Sequence, residues 1–90
     1  MILVDCELND DRDPKVSKGK GVTFDFRYDE HYAQFSVNKV SAVNAVKAVV
    51  SACADDDLYS ETNFYVTMQN GTQACFWFDE SGILNKRDDF

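Results

Sequence analysis

The sequence predicts a small α+β domain in which an antiparallel sheet of about five strands packs one face against a single helix. Several short segments alternate apolar and polar residues, which indicates strands, because successive side chains of a strand point to opposite faces of a sheet. One intervening segment instead repeats its apolar residues every three or four positions, as a helix does. The expected order of elements is β-β-β-α-β-β.

The length of the chain allows one domain. It has 90 residues, of which 44% are apolar and 28% are charged. A chain of this size buries roughly 60–65% of the surface of its unfolded form, which suffices for one core but not for a second domain or a deep substrate chamber. The composition therefore excludes a large multi-substrate enzyme and a wholly disordered chain. We expect residues 1–90 to form a single small domain.

The first strand and a long loop begin the chain. Apolar residues alternate with polar ones at Ile2, Val4, Cys6 and Leu8. The polar segment 9–21 follows; it contains the only proline and is expected to be a mobile connection.

A hairpin is predicted next. One face of its first strand carries Val22, Phe24, Phe26 and Tyr28, and after a turn at 29–31 the apolar residues Ala33, Phe35 and Val37 return on the same core face.

The helix is predicted to begin at Asn38, whose side chain is suited to cap it. Its apolar stripe consists of Val43, Val46, Val50 and Cys53, widened by Ala42, Ala45, Val49 and Ala52. The acidic triplet Asp55, Asp56 and Asp57 follows at the carboxyl end, where negative charge opposes the helix dipole. Local stability therefore does not explain these three aspartates.

A second hairpin is indicated by Asn70-Gly71 between two alternating runs. A two-residue turn at this site pairs Gln69 with Thr72, Val66 with Cys75, and Phe64 with Trp77. In that register Trp77 shares a face with Phe64, while the aromatic residues Tyr65, Phe76 and Phe78 share the other. Residues 83–90 are expected to form a loose tail or to add a short strand.

The charge of the chain points to a basic partner. Sixteen acidic and nine basic residues give a net charge of -7, which argues against direct binding of nucleic acid phosphates. The acids gather at the predicted ends of elements, and the candidate partner-binding acids are Asp29, Glu30, Asp55, Asp56, Asp57, Glu61, Asp79 and Glu80. If these ends converge, they form a negative field that steers a basic protein; otherwise they serve solubility.

No catalytic or metal-binding motif is found in the sequence. His31, the only histidine, falls in a predicted turn without a nucleophile motif, and an exposed turn histidine is the better interpretation. The cysteines Cys6, Cys53 and Cys75 form no pair with zinc-ligand spacing, so we expect buried thiols. We therefore expect a non-enzymatic protein without metal or cofactor.

The location is expected to be cytoplasmic. The apolar residues at the start of the chain soon meet acidic ones, so they lack the features of a signal peptide, and no apolar run is long enough to span a bilayer.

Aromatic residues beside acids are typical of protein interfaces. Tyr65, Phe76 and Phe78 would serve as anchors and the acids as a charged rim. A minor core beneath segment 9–21, or the seam of a homodimer, explains these aromatics equally well.

In size, charge and architecture the chain resembles small phage-encoded inhibitors of host defence, such as anti-CRISPR proteins and DNA mimics. The resemblance covers no motif, and the basic segment Arg12–Lys20 departs from a pure DNA mimic. It implies that carboxylates take the place of phosphates in the basic groove of a nucleic-acid-binding protein in the host cytoplasm. The alternative is a self-associating structural domain that forms a homodimer through its aromatic sheet face or a free strand edge.

Overall fold

A computed structural model describes residues 1–7, 21–27, 29, 31–53 and 62–88, which form one antiparallel sheet and one helix. The strands are β1 (Ile2–Glu7), β2 (Val22–Arg27), β3 (Tyr32–Val37), β4 (Asn63–Thr67), β5 (Gln73–Phe78) and β6 (Leu84–Arg87), and the helix is α1 (Ala42–Ala52). The predicted α+β class is confirmed. The described sheet has six strands rather than about five, because part of segment 83–90 pairs with β5 as β6. The predicted mobile loop lies outside the described residues except for Gly21.

The strand order is β2-β3-β1-β4-β5-β6, and every neighbouring pair is antiparallel. The hairpin β2–β3 and the meander β4–β5–β6 are each built from strands that follow one another along the chain. β1 lies between them and pairs with both β3 and β4. The first strand of the chain therefore joins the two halves of the sheet.

The core lies between α1 and one face of the sheet. Its largest fully buried side chains are Phe35, Phe64, Phe76, Val4, Val37, Val46, Val49 and Val66. α1 packs over β1–β4. Burying these apolar side chains removes roughly 1.5–3 kcal/mol of unfavourable hydration for each, which is the main force that holds the helix on the sheet.

The helix begins later than its sequence predicted. Ser41 is its N-cap, and the Ser41 hydroxyl accepts a hydrogen bond from the Asn44 backbone N–H at 3.2 Å. Asn38 lies three residues before this cap and does not take that position; its backbone N–H donates to the Gly21 carbonyl at 2.7 Å and holds the end of β3 beside β2. None of the described helices is long and apolar enough to cross a membrane.

Replacing the cap tests this boundary. Ser41→Ala is expected to lower the free energy of unfolding by about 1 kcal/mol, because the Asn44 N–H loses its acceptor. Asn38→Ala is the matched control and is expected to change it by less than about 0.5 kcal/mol. Equilibrium urea denaturation measures both, and a larger loss for Asn38→Ala would show that the helix begins where the sequence predicted.

The β4–β5 hairpin differs from its prediction by one residue. Its loop has three residues, 69–71: Met68 N–H donates to the Thr72 carbonyl at 2.8 Å, and Gly71 N–H donates to the Met68 carbonyl at 2.9 Å. Gly71 supplies the positive φ of 89° that this loop requires. Val66 consequently pairs with Ala74, and Phe64 with Phe76. The predicted register is wrong, and since strands have a period of two, the slip exchanges the two faces of β5.

A bulge in β2 changes the face on which Phe26 lies in the first hairpin, so the predicted core position of Phe26 is wrong. Phe24 pairs with Phe35 and Phe26 pairs with Gln34, so one extra residue, Asp25, lies between them. Phe24 packs edge-on against Phe35, with ring centroids 5.4 Å apart, as a core residue. Phe26, predicted to share that core face, is instead 46% exposed.

Candidate functional site

The sheet face opposite α1 is covered by none of the described elements, and we call it the open face. It follows from the alternation of strand side chains, because one helix buries one face of a sheet and leaves the other to solvent or to a partner. Its residues are Leu3, Asp5, Glu7, Thr23, Asp25, Phe26, Tyr32, Gln34, Ser36, Asn63, Tyr65, Thr67, Gln73, Cys75, Trp77, Asn85 and Arg87. Polar and aromatic side chains dominate this set.

Glu7 is the last residue of the inner strand β1 on the open face, and its carboxylate is held by two donors. The Tyr65 hydroxyl donates to Glu7 Oε2 at 2.8 Å, and Asn63 Nδ2 donates to the same oxygen at 3.4 Å. Asn63 is opposite Glu7 on β4, and Tyr32 is opposite it on β3. Both donors belong to β4, so this strand sets the position of the carboxylate.

Two further carboxylates share the open face and are also held by hydrogen bonds. Asp5 Oδ1 accepts from Gln34 Nε2 at 3.0 Å, and Asp25 Oδ2 accepts from the Ser36 hydroxyl at 2.6 Å. The described cation of this face, Arg87, is on β6. Its side chain lines the same hollow as Asn63 and Tyr65, but the three carboxylates Asp5, Glu7 and Asp25 outnumber this one cation among the described residues of the face. The surface around β1 is therefore negative.

Aromatic rings flank these carboxylates. The rings of Tyr32 and Tyr65 lie 6.3 Å apart, centroid to centroid, at an angle of 44°. Burial and the hydrogen bond to Glu7 raise the pKa of Tyr65, and burial and the nearby Glu7 raise the pKa of Tyr32. Both hydroxyls thus remain neutral. A hollow of about 350 Å³ beside them is lined by Asn63, Tyr65, Cys75, Trp77 and Arg87.

Of the three predicted aromatic anchors, Tyr65 alone lies on the open face. Phe76 is 1% exposed in the core, and Phe78 packs edge-on against Phe64 at a centroid distance of 6.1 Å. Their predicted placement is wrong because it followed from the two-residue turn. Trp77 takes the open-face position instead. The same alternation of residues, combined with a three-residue loop instead of a two-residue turn, places Trp77 on the open face.

The described acids at the strand ends stabilise turns. Asp29 Oδ1 accepts from the backbone N–H of His31 at 2.6 Å and from that of Tyr32 at 3.0 Å. Asp79 accepts from the Asn85 side chain and from the Ile83 and Ser81 backbones, and these bonds lower its pKa. These hydrogen bonds give both aspartates a structural role in the turns that requires no binding partner.

The predicted convergence of acids is not seen in the described turns. The turns that hold Asp29 and Asp79 lie at the same end of the sheet, since β3 and β6 both start there. They are about four strand spacings, roughly 19 Å, apart, which is too far for one joint field. Glu80 is exposed in the second turn. The other predicted acids, Glu30, Asp55, Asp56, Asp57 and Glu61, lie outside the described residues.

A second concave surface has the opposite charge. A groove of about 400 Å³ between α1 and the β5–β6 hairpin is lined by Val43, Lys47, Phe76, Phe78, Gly82, Leu84 and Lys86. Its charged residues are the two lysines. The groove therefore differs in charge from the open face around Asp5 and Glu7.

The three cysteines are free and buried, which confirms their prediction. Burial raises the pKa of the Cys75 thiol on the open face, and nearby Glu7 raises it further. Within the described ranges, no group of three or more His, Cys, Asp or Glu side chains is arranged to hold a metal ion.

Comparisons of the chain with protein families, with curated proteins and with solved structures find no match.

Proposed function

We propose that the protein is a non-enzymatic inhibitor whose open face binds a basic, nucleic-acid-binding protein and occupies the groove that would hold nucleic acid. The observation that supports this most directly is the Glu7 carboxylate, held by Tyr65 and Asn63 beside aromatic rings on a sheet face that none of the described elements covers. The candidate site thus moves from the acidic turns to the open face, at the end of β1 where β3 and β4 begin.

The physical basis is preorganisation. A flexible carboxylate loses rotational freedom when it binds a cation, whereas Glu7, Asp5 and Asp25 are already held by hydrogen bonds from neighbouring strands. The net charge of -7 accelerates the approach of a basic protein through long-range attraction. Tyr32, Tyr65 and Trp77 add the aromatic contact area from which interface anchors are drawn.

Inhibition follows from competition in this proposal. The carboxylates of the open face take positions that phosphates would occupy in a groove lined by arginine and lysine, so partner and nucleic acid exclude each other. A phage-encoded counter-defence protein of the anti-CRISPR type, acting in the host cytoplasm, is the biological setting that the resemblance in size and charge suggests.

The alternative of a homodimer joined at a free strand edge has less support. The edge strand β2 carries a bulge, and the opposite edge strand β6 has only four residues, two of which are Lys86 and Arg87. Bulges, short strands and charged side chains at an edge hinder pairing with another strand.

The test compares two variants with the same change in charge. Glu7→Gln removes the carboxylate that Tyr65 and Asn63 hold and keeps an oxygen that accepts from Tyr65, whereas Glu80→Gln removes an exposed carboxylate of the β5–β6 turn. A pull-down from host lysate at low and moderate salt identifies the basic protein, and its affinity for each variant is then measured with purified components. We expect Glu7→Gln to weaken binding at least about tenfold and Glu80→Gln to leave it nearly unchanged. Added nucleic acid should compete with the wild type.

Three outcomes would contradict the proposal. Equal weakening by both variants would mean that only net charge matters. Loss of binding in a variant with Asp55, Asp56 and Asp57 changed to Asn, but not in Glu7→Gln, would assign the contact to the predicted acidic triplet. Capture of no basic protein, together with a stable dimer in native mass measurement, would favour the homodimer.

A further inference from the structure

Each carboxylate of β1 on the open face has a tyrosine as its cross-strand neighbour. Tyr32 on β3 is opposite Glu7, and Tyr65 on β4 is opposite Asp5. Directly opposite residues of an antiparallel pair have their Cβ atoms about 4.5–5.5 Å apart, so ring and carboxylate are close enough to contact one bound group. The two rings are 6.3 Å apart and tilted by 44°. Together the four side chains form a patch that combines two carboxylates with two aromatic rings.

The described hydrogen bonds use one oxygen of each carboxylate. The Tyr65 and Asn63 donors both reach Glu7 Oε2, and the Gln34 donor reaches Asp5 Oδ1. A carboxylate has two acceptor oxygens. Glu7 Oε1 and Asp5 Oδ2 are thus the acceptors that the described bonds leave for a ligand with several N–H donors.

Arginine and lysine differ in how well they fit such a patch. The guanidinium group is planar, carries five N–H donors, is weakly hydrated and stacks on aromatic rings. The lysine ammonium group is compact and strongly hydrated, and it offers no flat surface for stacking. A negative site without aromatic rings would bind the two through charge with similar strength, whereas rings favour the guanidinium.

We infer that the open face selects arginine over lysine in its basic partner, by stacking the guanidinium on Tyr32 and Tyr65 while Glu7 and Asp5 accept its N–H groups. The inference rests on the proposed function and specifies the side chain that this site contacts.

The experiment uses two peptides of equal length and charge, one of arginine and one of lysine residues separated by glycines, titrated into the full chain by calorimetry. The arginine peptide is expected to bind wild type about fivefold more tightly. Tyr32→Leu removes a ring and is expected to bring the two affinities together by weakening the arginine peptide alone. Phe26→Leu, which removes an exposed aromatic ring two strands from β1, is the matched control and should keep the preference. Tyr32→Phe keeps the ring and should also keep it.

The outcomes separate this inference from the proposed function. Equal affinity of the two peptides for wild type, or a preference that survives in folded Tyr32→Leu, would overturn arginine selection. A preference lost in Tyr32→Phe would also overturn it, because the ring is still present. If both peptides bind wild type and weaken with Glu7→Gln, the proposed function stands even when the selection fails. If neither peptide binds at low salt, both proposals fall.

Discussion

Phe76→Ala is expected to lower the free energy of unfolding by about 3–5 kcal/mol, whereas Trp77→Ala is expected to lower it by about 1 kcal/mol. Phe76 is 1% exposed and belongs to the core, so its removal leaves a cavity there. Trp77 lies on the open face, half-buried, where water replaces the contacts that the ring loses. The larger residue therefore matters less for stability.

Equilibrium urea denaturation of the two variants measures this difference. The comparison distinguishes the two hairpin registers. Because Phe76 and Trp77 are adjacent in the chain, each register buries a different one of them, so each predicts that a different variant loses more unfolding free energy. With a two-residue turn, Trp77 would lie in the core and its replacement would be the damaging one. A loss for Trp77→Ala that exceeds the loss for Phe76→Ala would thus refute the three-residue loop.

The stability of the fold is expected to fall as pH rises above about 9, through ionisation of Cys6 in the unfolded chain. Burial is the main reason that the pKa of Cys6 lies well above 9.0, with Cys53 and Asp5 raising it further. A group whose pKa is raised by folding keeps its full contribution below its unfolded pKa, and the contribution is lost as pH increases toward the folded pKa. The expected loss is about 1.4 kcal/mol per pH unit for one fully buried group.

Tyr65 adds to the same decline at higher pH. Its pKa is raised from 10.0, first by burial and then by the hydrogen bond to Glu7, so its contribution is lost as pH rises above 10. Because Tyr65 is only half-buried, solvent reduces its share relative to Cys6.

Two variants separate the contributions. Cys6→Ala should reduce the decline that begins near pH 9, to which Cys75 also contributes, and Tyr65→Phe should leave that part intact and reduce only the part above pH 10, to which Tyr32 also contributes. Denaturant unfolding at a series of pH values gives the free energies. An unchanged slope in Cys6→Ala would show that Cys6 is not the thiol that resists ionisation.

Most of the helix and the first strand could be predicted from the sequence, because their evidence is local. Ala45, Val46, Val49 and Val50 are buried on one side of α1 as their spacing indicates. Ile2, Val4 and Cys6 are buried on β1 as their alternation indicates. The choice of Asn38 as the helix cap failed because several residues near the start of a helix are suited to cap it, and only the hydrogen bonds show that Ser41 does so.

The candidate site could be predicted only in part. Tyr65 was identified from hairpin alternation, but Phe76 and Phe78 were assigned to the open face through a turn that was one residue too short. Asn70-Gly71 is compatible with both loop lengths, and the core packing of Phe76 against the helix side selects the longer one. Glu7 gave no signal of its own, because an acid on the polar side of an amphipathic strand is ordinary.

Local periodicity thus determined that this chain forms strands, one helix and two differently populated sheet faces, since each of these depends on neighbours within a few positions. The tertiary structure alone decided three features: the central place of β1, the bulge that exposes Phe26, and the meeting of Glu7 with Tyr65. The physical reason is that strand pairing joins residues far apart in sequence; Glu7 and Tyr65 are separated by 58 positions. Which partner and register win depends on the packing of the whole core, and a shift of a single residue exchanges the buried face with the open one.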